Sequence, residues 1–223
     1  MLSRLVIGLM GLVLCGCADT PHYNQSYNFR VTIENISQDG QIAPGAYFVS
    51  SEENLLFTVG ESDRGIGLET LAEDGDPLPL ARAFIQMGVL GSVFNLDSVD
   101  YLEGAIGPGQ SFVFEITAAP RQSLHLATML GISNDSFYAS NADGIELFSG
   151  VYPLPLTQVT DIALYDLGTE LNEPLGEGAN QPARQQSPGS GDPENGVVHM
   201  GDETYPQANE LMQITVELID ANE

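Results

Sequence analysis

From Tyr27 to Ile36 apolar and polar residues alternate: Phe29, Val31 and Ile33 fall on one side, Arg30, Thr32 and Glu34 on the other. A two-residue period built from aromatic and β-branched residues predicts a strand with one buried face, and Ser37-Gln38-Asp39-Gly40 ends it with a turn. The same period returns after Pro108-Gly109, where Phe112, Phe114 and Ile116 alternate with Ser111, Val113, Glu115 and Thr117. It closes the chain at Leu211 to Ile219, with Met212, Ile214, Val216 and Leu218 on one face. Shorter runs at Ala46 to Val49, after Pro44-Gly45, and at Leu55 to Val59, before Gly60, also read as β-like. Ser123 to Ile132 is strongly apolar, as a central strand would be. Val159 to Tyr165 alternates less cleanly.

The period changes between Ile66 and Gly91. Leu68, Leu71 and Ala72 lie at helical spacing with Glu69 and Glu73 expected outside, and Asp74-Gly75-Asp76-Pro77 stops that helix. Leu80, Ala83, Phe84, Met87 and Leu90 predict a second short amphipathic helix. Seven to nine strands with two helical excursions place the chain in the all-β class as an antiparallel β-sandwich. Residues 172–195 are rich in Gly, Pro, Asn, Gln and Ser, with almost no apolar side chain, which predicts a long surface excursion or a mobile loop. The strand pattern beyond it has a face to bury, so the loop interrupts the domain and does not end it. No internal repeat is present.

The N-terminus carries a different signal. Arg4 precedes an apolar run from Leu5 to Leu14, the length of a secretory h-region and half of what a membrane-spanning helix requires. Leu14-Cys15-Gly16-Cys17 then fits a lipobox: apolar at −3, small at −2 and −1, and a Cys whose thiol carries the lipid. Residues 1–16 are therefore expected to be cleaved and Cys17 to become the acylated N-terminus of an exported lipoprotein. Residues 17–26 read as a polar tether and 27–220 as the folded domain. Ala18, not Asp, follows the acylated Cys, which favours the outer membrane, facing either the periplasm or the cell surface. Membrane contact is expected through the lipid anchor only.

Cys15 and Cys17 are the only cysteines; cleavage discards one and lipidation consumes the other, so no disulfide is available. The chain has 31 acidic residues, six arginines and no lysine. A polyanion or an anionic lipid surface would be repelled, which excludes nucleic acid as a partner. An acidic surface recruits cations, either as Ca²⁺ at specific sites or as the general solvated shell of a salt-adapted protein.

Six short segments, taken in order, carry a resemblance to a known family. They are FRVTIENIS, LFTVGESDRGIGLETLAEDGD, PGQSFVFEI, the strand leading into ATMLGISNDSFYA, DLGTELN and PENGVVH, spanning about residues 28 to 219. Together they resemble the spondin N-terminal domain family, whose members occur in matrix spondins and in exported bacterial proteins. The resemblance implies a β-sandwich similar to C2 domains and a non-enzymatic binding or adhesion role. It also implies a Ca²⁺ site built from two acidic loops. Carried onto this chain, the loops are Ser133-Asn134-Asp135-Ser136-Phe137 and Asp166-Leu167-Gly168-Thr169-Glu170, giving Asp135, Asp166 and Glu170 as ligands. Two departures stand out: the family's Pro and Trp are missing from the first loop, and Glu170 replaces an Asp. Ca²⁺ takes six to eight oxygens, which acids, carbonyls and water can supply together.

Other constellations fail. Asn141-Ala142-Asp143-Gly144 does not fit an EF-hand, since the template would put Ala139 and Gly150 at ligand positions. His22, His125 and His199 are far apart and no free Cys remains, so a zinc site of the spaced Cys/His type is excluded. No nucleophile elbow, Walker loop or dinucleotide fingerprint occurs, and no acid pair stands out for hydrolysis. A non-enzymatic protein is expected. A carbohydrate-binding module is the alternative, with Tyr138, Tyr152 and Tyr165 as the nearest aromatic candidates; a hydrolase with an unrecognised acid pair is a third. An extracellular protein or a glycan would be the partner.

Overall fold

The computed structural model describes residues 25–95 and 104–222. The expected signal, Cys17 and nearly all of the expected tether lie outside them. In chain order the elements begin with β1 (Ser26–Asn35), β2 (Gly45–Ser50), α1 (Leu68–Asp74), α2 (Leu78–Gln86), β3 (Leu90–Phe94) and β4 (Ser111–Ala118). Next come β5 (Ser123–Met129), β6 (Ser136–Ser140), β7 (Ile145–Glu146), β8 (Phe148–Ser149) and β9 (Tyr152–Pro153). The last are β10 (Leu156–Val159), β11 (Ile162–Asp166), β12 (His199–Met200), α3 (Ala208–Leu211) and β13 (Met212–Asn222). Every strand pairing among the described residues is antiparallel.

The alternating segments form one sheet, ordered β10-β13-β1-β4. Its register aligns apolar rows on one face: Ile33 sits between Phe112 and Ile214, Val31 between Phe114 and Val216, Phe29 between Ile116 and Leu218. Arg30 lies opposite Glu115 and Glu217 on the other face, and its guanidinium meets Glu115 at 3.2 Å. That pair is exposed and contributes little; burial of the apolar rows holds the sheet.

The second sheet has the order β12-β11-β6-β5-β2-β3, with β7 also on β5. Val49, Phe94, Leu124, Leu126, Tyr138 and Leu164 point from it into the core shared with the first sheet. The all-β sandwich is thus present. The second sheet is covered on its other face as well. Ala46, Phe48, Ala127, Phe137, Ala139 and Tyr165 pack there against α1, α2 and Leu55, Leu56 and Phe57. Two covered faces explain why β2, β5 and β6 read as continuous apolar runs. The helices therefore form a third layer.

Several expectations are corrected here. Leu55 to Val59 forms no strand; Leu55, Leu56 and Phe57 are buried as a plug beside the helices, and Val59 is exposed. Glu73 is buried, not outside, because α1 turns its last residues toward the polar excursion. Met87 is 61% exposed and Leu90 opens β3, so neither lies on the buried face of α2. Val159 to Tyr165 is split at Thr160-Asp161 between β10 and β11, which belong to different sheets. A third helix, the single turn α3, precedes β13.

The stop after α1 works as read: Gly75, at φ +70°, donates its N–H to Leu71 O at 3.1 Å, a left-handed C-terminal closure, and Asp76 donates to Thr70 O at 3.4 Å. Asp76 Oδ1 then accepts the Leu78 N–H at the start of α2.

Candidate metal centre

Three segments meet at one end of the second sheet. The first is the turn between β5 and β6. Ser133 Oγ donates to Leu130 O at 2.8 Å and accepts the Ser136 N–H at 3.1 Å, fixing Asp135 immediately before β6. The second is the end of β11, where register places Asp166 between Ser136 and His199. The third is the returning end of the polar excursion. Leu171 donates its N–H to Asp192 O, Glu194 to Thr169 O and Gly196 to Gly168 O, at 2.7–2.8 Å. The excursion thereby closes back on residues 168–171 and carries Glu194 over the two aspartates.

One carboxylate oxygen each from Asp135, Asp166 and Glu194 lies within 4.8 Å of the others. Oxygens bound to a single Ca²⁺ at about 2.3–2.6 Å can stand at most about 5 Å apart, so the spacing fits one ion. Asp135 is 0% exposed and Asp166 is buried, while Glu194 stands at the surface. Asp135 Oδ2 accepts the N–H groups of Thr169 and Glu170, both at 3.1 Å. Its Oδ1 is buried and has no donor among the described residues. Burial, and then the neighbouring Asp166, push the Asp135 carboxyl up to about 7, with the two backbone donors pulling the other way. A buried acceptor with no donor, beside two further acids, matches a cation in charge and in valence. These three residues can hold a metal ion.

Asp166 is oriented by the Gly168 N–H on Oδ1 at 2.9 Å and by Asn172 Nδ2 on Oδ2 at 2.7 Å. Gly168 has φ +71°, and a Cβ there would stand 2.7 Å from the Val197 carbonyl oxygen. Gly168→Ala is therefore expected to cost about 1–3 kcal/mol in a denaturant melt, by displacing the 192–196 return.

Of the three residues expected as ligands, Asp135 and Asp166 are brought together. Glu170 gives this cluster its backbone N–H, while its carboxylate turns away to accept Gly191 N–H at 2.7 Å and Asn134 Nδ2 at 3.5 Å. There it belongs to a second acidic group with Glu73 and Asp74. Asp74 accepts from Gln185 Nε2 and the Gly189 N–H, so the excursion is pinned over both acids. Burial raises the Glu170 carboxyl. Burial also pushes Glu73 up to about 7; the Thr169 hydroxyl opposes this, and the charges of Glu170, Glu69 and Asp74 add to it. A raised folded-state pKa means that the folded state binds the extra proton. The resulting destabilisation is absent below the ordinary carboxylate range and complete above about pH 7. Glu73→Gln is expected to stabilise the metal-free protein by about 1–2 kcal/mol at pH 8 and hardly at all at pH 4, read from melts at the two pH values.

Glu194 was not singled out by sequence. Its signal is the Pro193-Glu194-Asn195-Gly196 turn, in which Asn195 adopts φ +58° and aims the return strand. The histidines separate clearly. His125 is buried in β5 and burial pushes it down to about 4, keeping it neutral. His199 is half exposed, with Nε2 3.4 Å from Asp166 Oδ1. Tyr138 and Tyr165 are buried in the two cores, Tyr138 donating to Pro206 O, so neither offers a carbohydrate-stacking face; Tyr152 is exposed.

No helix among the described residues is long and apolar enough to cross a membrane. No protein-family model matches the chain, and no curated protein matches it.

Proposed function

We propose that this chain is an envelope-anchored, non-enzymatic binding or adhesion module of spondin-domain type, with one rim organised by Ca²⁺. The observation that carries the metal part is the buried, donorless Oδ1 of Asp135 within a three-carboxylate cluster. Ca²⁺ is the ion that an oxygen-only set of this kind favours, with carbonyls and water completing its shell. Asp135, Asp166 and Glu194 would hold it, and Glu170 would support the loop through its backbone. The ion would tie the β5–β6 turn, the end of β11 and the returning excursion into one rigid rim.

A cleft of about 840 Å³ shares the β5–β6 turn with this rim, lined by Ile36, Met129, Leu130, Ile132 and Leu211. Its charged lining residues are Asp39 and Glu210, with no basic one, which suits a neutral or cationic ligand. This supports a binding role. The anchor rests on the lipobox, and the adhesion role on the spondin resemblance by analogy of family.

Calorimetric titration of metal-stripped protein with Ca²⁺ is expected to show one site and an upward melting shift, both lost in Asp166→Asn. Absence of heat and of any shift in the wild-type protein overturns the calcium reading. Metabolic labelling with a fatty acid is expected to mark the wild-type protein and not Cys17→Ser; equal labelling of both would remove the anchor.

A further inference from the structure

We infer that Asn195 is a site of covalent self-modification: whenever residues 192–196 let go of residues 168–171, the Gly196 backbone nitrogen displaces the Asn195 side-chain amide and leaves an isoaspartyl link beside Glu194. Its effect on metal binding rests on the cation site proposed above; the modification itself does not.

Asn195-Gly196 is the only Asn-Gly pair in the chain. The attacking nitrogen belongs to the residue after Asn, and without a Cβ that residue turns freely onto the neighbouring side chain. Asn195 is exposed at φ +58°, and no hydrogen bond holds its side-chain amide among the described residues. Water therefore reaches the group that reacts. In the reaction the Gly196 nitrogen loses its proton to hydroxide and bonds to Asn195 Cγ. The bond from Cγ to the amide nitrogen breaks, and that nitrogen takes protons from water and leaves as ammonia. The cyclic imide then adds water. Opening at Cγ gives an ordinary aspartate; opening at the main-chain carbonyl routes the chain through Cβ and Cγ and gives the isoaspartyl link. The net change is one water consumed and one ammonia released, with no other reactant.

In the closed fold the attacking nitrogen is occupied. Gly196 donates its N–H to Gly168 O at 2.7 Å, Glu194 donates to Thr169 O at 2.8 Å, and Ser62 Oγ donates to Gly196 O at 3.3 Å. Reaction is thus confined to local opening of this return. Residues 192–195 are all exposed, so the return is held by these few bonds and belongs to the least stable part of the domain. The product reaches the cluster directly. Glu194 contributes the third carboxylate beside Asp135 and Asp166. An isoaspartyl link inserts an extra backbone carbon between the Glu194 and Gly196 N–H groups, so their spacing no longer matches Thr169 O and Gly168 O together. The modified chain withdraws Glu194 from the cluster.

The test incubates wild-type protein at mildly alkaline pH, folded and unfolded in urea, and follows residues 192–200 by peptide mapping that separates aspartyl from isoaspartyl products. Asn195 is expected to convert mainly to the isoaspartyl form, about tenfold or more slowly in the folded protein than in the unfolded chain. Hydrogen exchange of the Gly196 N–H should be slowed by the same factor, because both reactions wait on one opening. Gly168→Ala should quicken conversion about fivefold or more. Ca²⁺ at a hundredfold excess over Kd should slow it by up to about a hundredfold, and fully converted protein should bind Ca²⁺ about tenfold or more weakly than Asn195→Asp. An Asn195 that stays intact in the folded protein overturns the inference. So does conversion at the unfolded rate, or a Gly196 exchange factor that differs from it; both are read in wild type and do not depend on the variant folding. Converted protein that binds Ca²⁺ as tightly as Asn195→Asp overturns the withdrawal of Glu194. If the two factors agree while Ca²⁺ neither binds nor slows conversion, the modification stands and the calcium reading falls.

Discussion

Asp135→Asn is expected to stabilise the metal-free protein at alkaline pH and to lose most of the stabilisation that Ca²⁺ gives wild type. Asp135 is fully buried and pushed up to about 7, so folding the charged form carries a penalty. The folded state holds the extra proton; the penalty is therefore absent below about pH 4, grows through the interval up to pH 7 and is complete above it. Asparagine has no charge to desolvate. Its carbonyl can take the Thr169 and Glu170 N–H groups, and its amide can donate to Asp166. At pH 8 without metal the variant should exceed wild type by about 2–4 kcal/mol, and at pH 4 the two should melt together. Saturating Ca²⁺ at a hundredfold excess over Kd adds about 2.7 kcal/mol to wild type. Loss of one charged ligand should weaken the variant's Ca²⁺ affinity by about a hundredfold, so it gains little. Thermal melts at the two pH values, with chelator and with Ca²⁺, read all four cases. A variant that matches wild type without metal at pH 8 would show that the Asp135 charge is not the strained element.

Phe48→Ala is expected to be the most destabilising core change on the outer face of the second sheet, costing about 3–5 kcal/mol. Phe48 is 0% exposed in β2, and its ring centroid lies 4.2 Å from that of Phe84 in α2. Truncation would open a cavity between the sheet and the helical layer at its tightest aromatic contact. For a domain of this size the melting temperature should fall by roughly 6–20 °C. If α1 and α2 were peripheral decoration, the loss would stay near 1 kcal/mol. Met87→Ala serves as the contrast: the exposed side chain should be worth less than about 0.5 kcal/mol.

The first sheet was legible because each of β1, β4 and β13 has one wet face, and a half-buried strand writes its register into alternation. Val31 and Ile33 could be assigned inward before any partner was known. The second sheet was harder to read. With helices on one side and the first sheet on the other, Phe137 and Tyr138 are both buried, and no period separates such a strand from any other apolar run. Leu55 to Phe57 illustrates the cost: its apolar content reports burial correctly, but burial without a hydrogen-bonding neighbour is not a strand. Glu73 shows the converse, an acid placed outside by helical spacing that ends beneath the polar excursion.

The candidate site divides along the same line. Asp135 and Asp166 were reached from sequence only through the resemblance of two short acidic loops to those of a known family, which also offered Glu170. Glu194 lies 28 positions beyond Asp166, past a stretch without periodicity, and joins the cluster only because residues 192–196 hydrogen-bond to 168–171. His199 was set aside as isolated in sequence, yet it faces Asp166 across β11 and β12. Local order along the chain thus determined the alternating strands and the helix stop at Gly75. Long-range pairing decided which faces are covered, which acids share one space and which histidine stands beside them. The reason is physical: side-chain alternation records the solvent on either side of a strand, whereas convergence of ligands depends on sheet register and loop closure between segments distant in sequence.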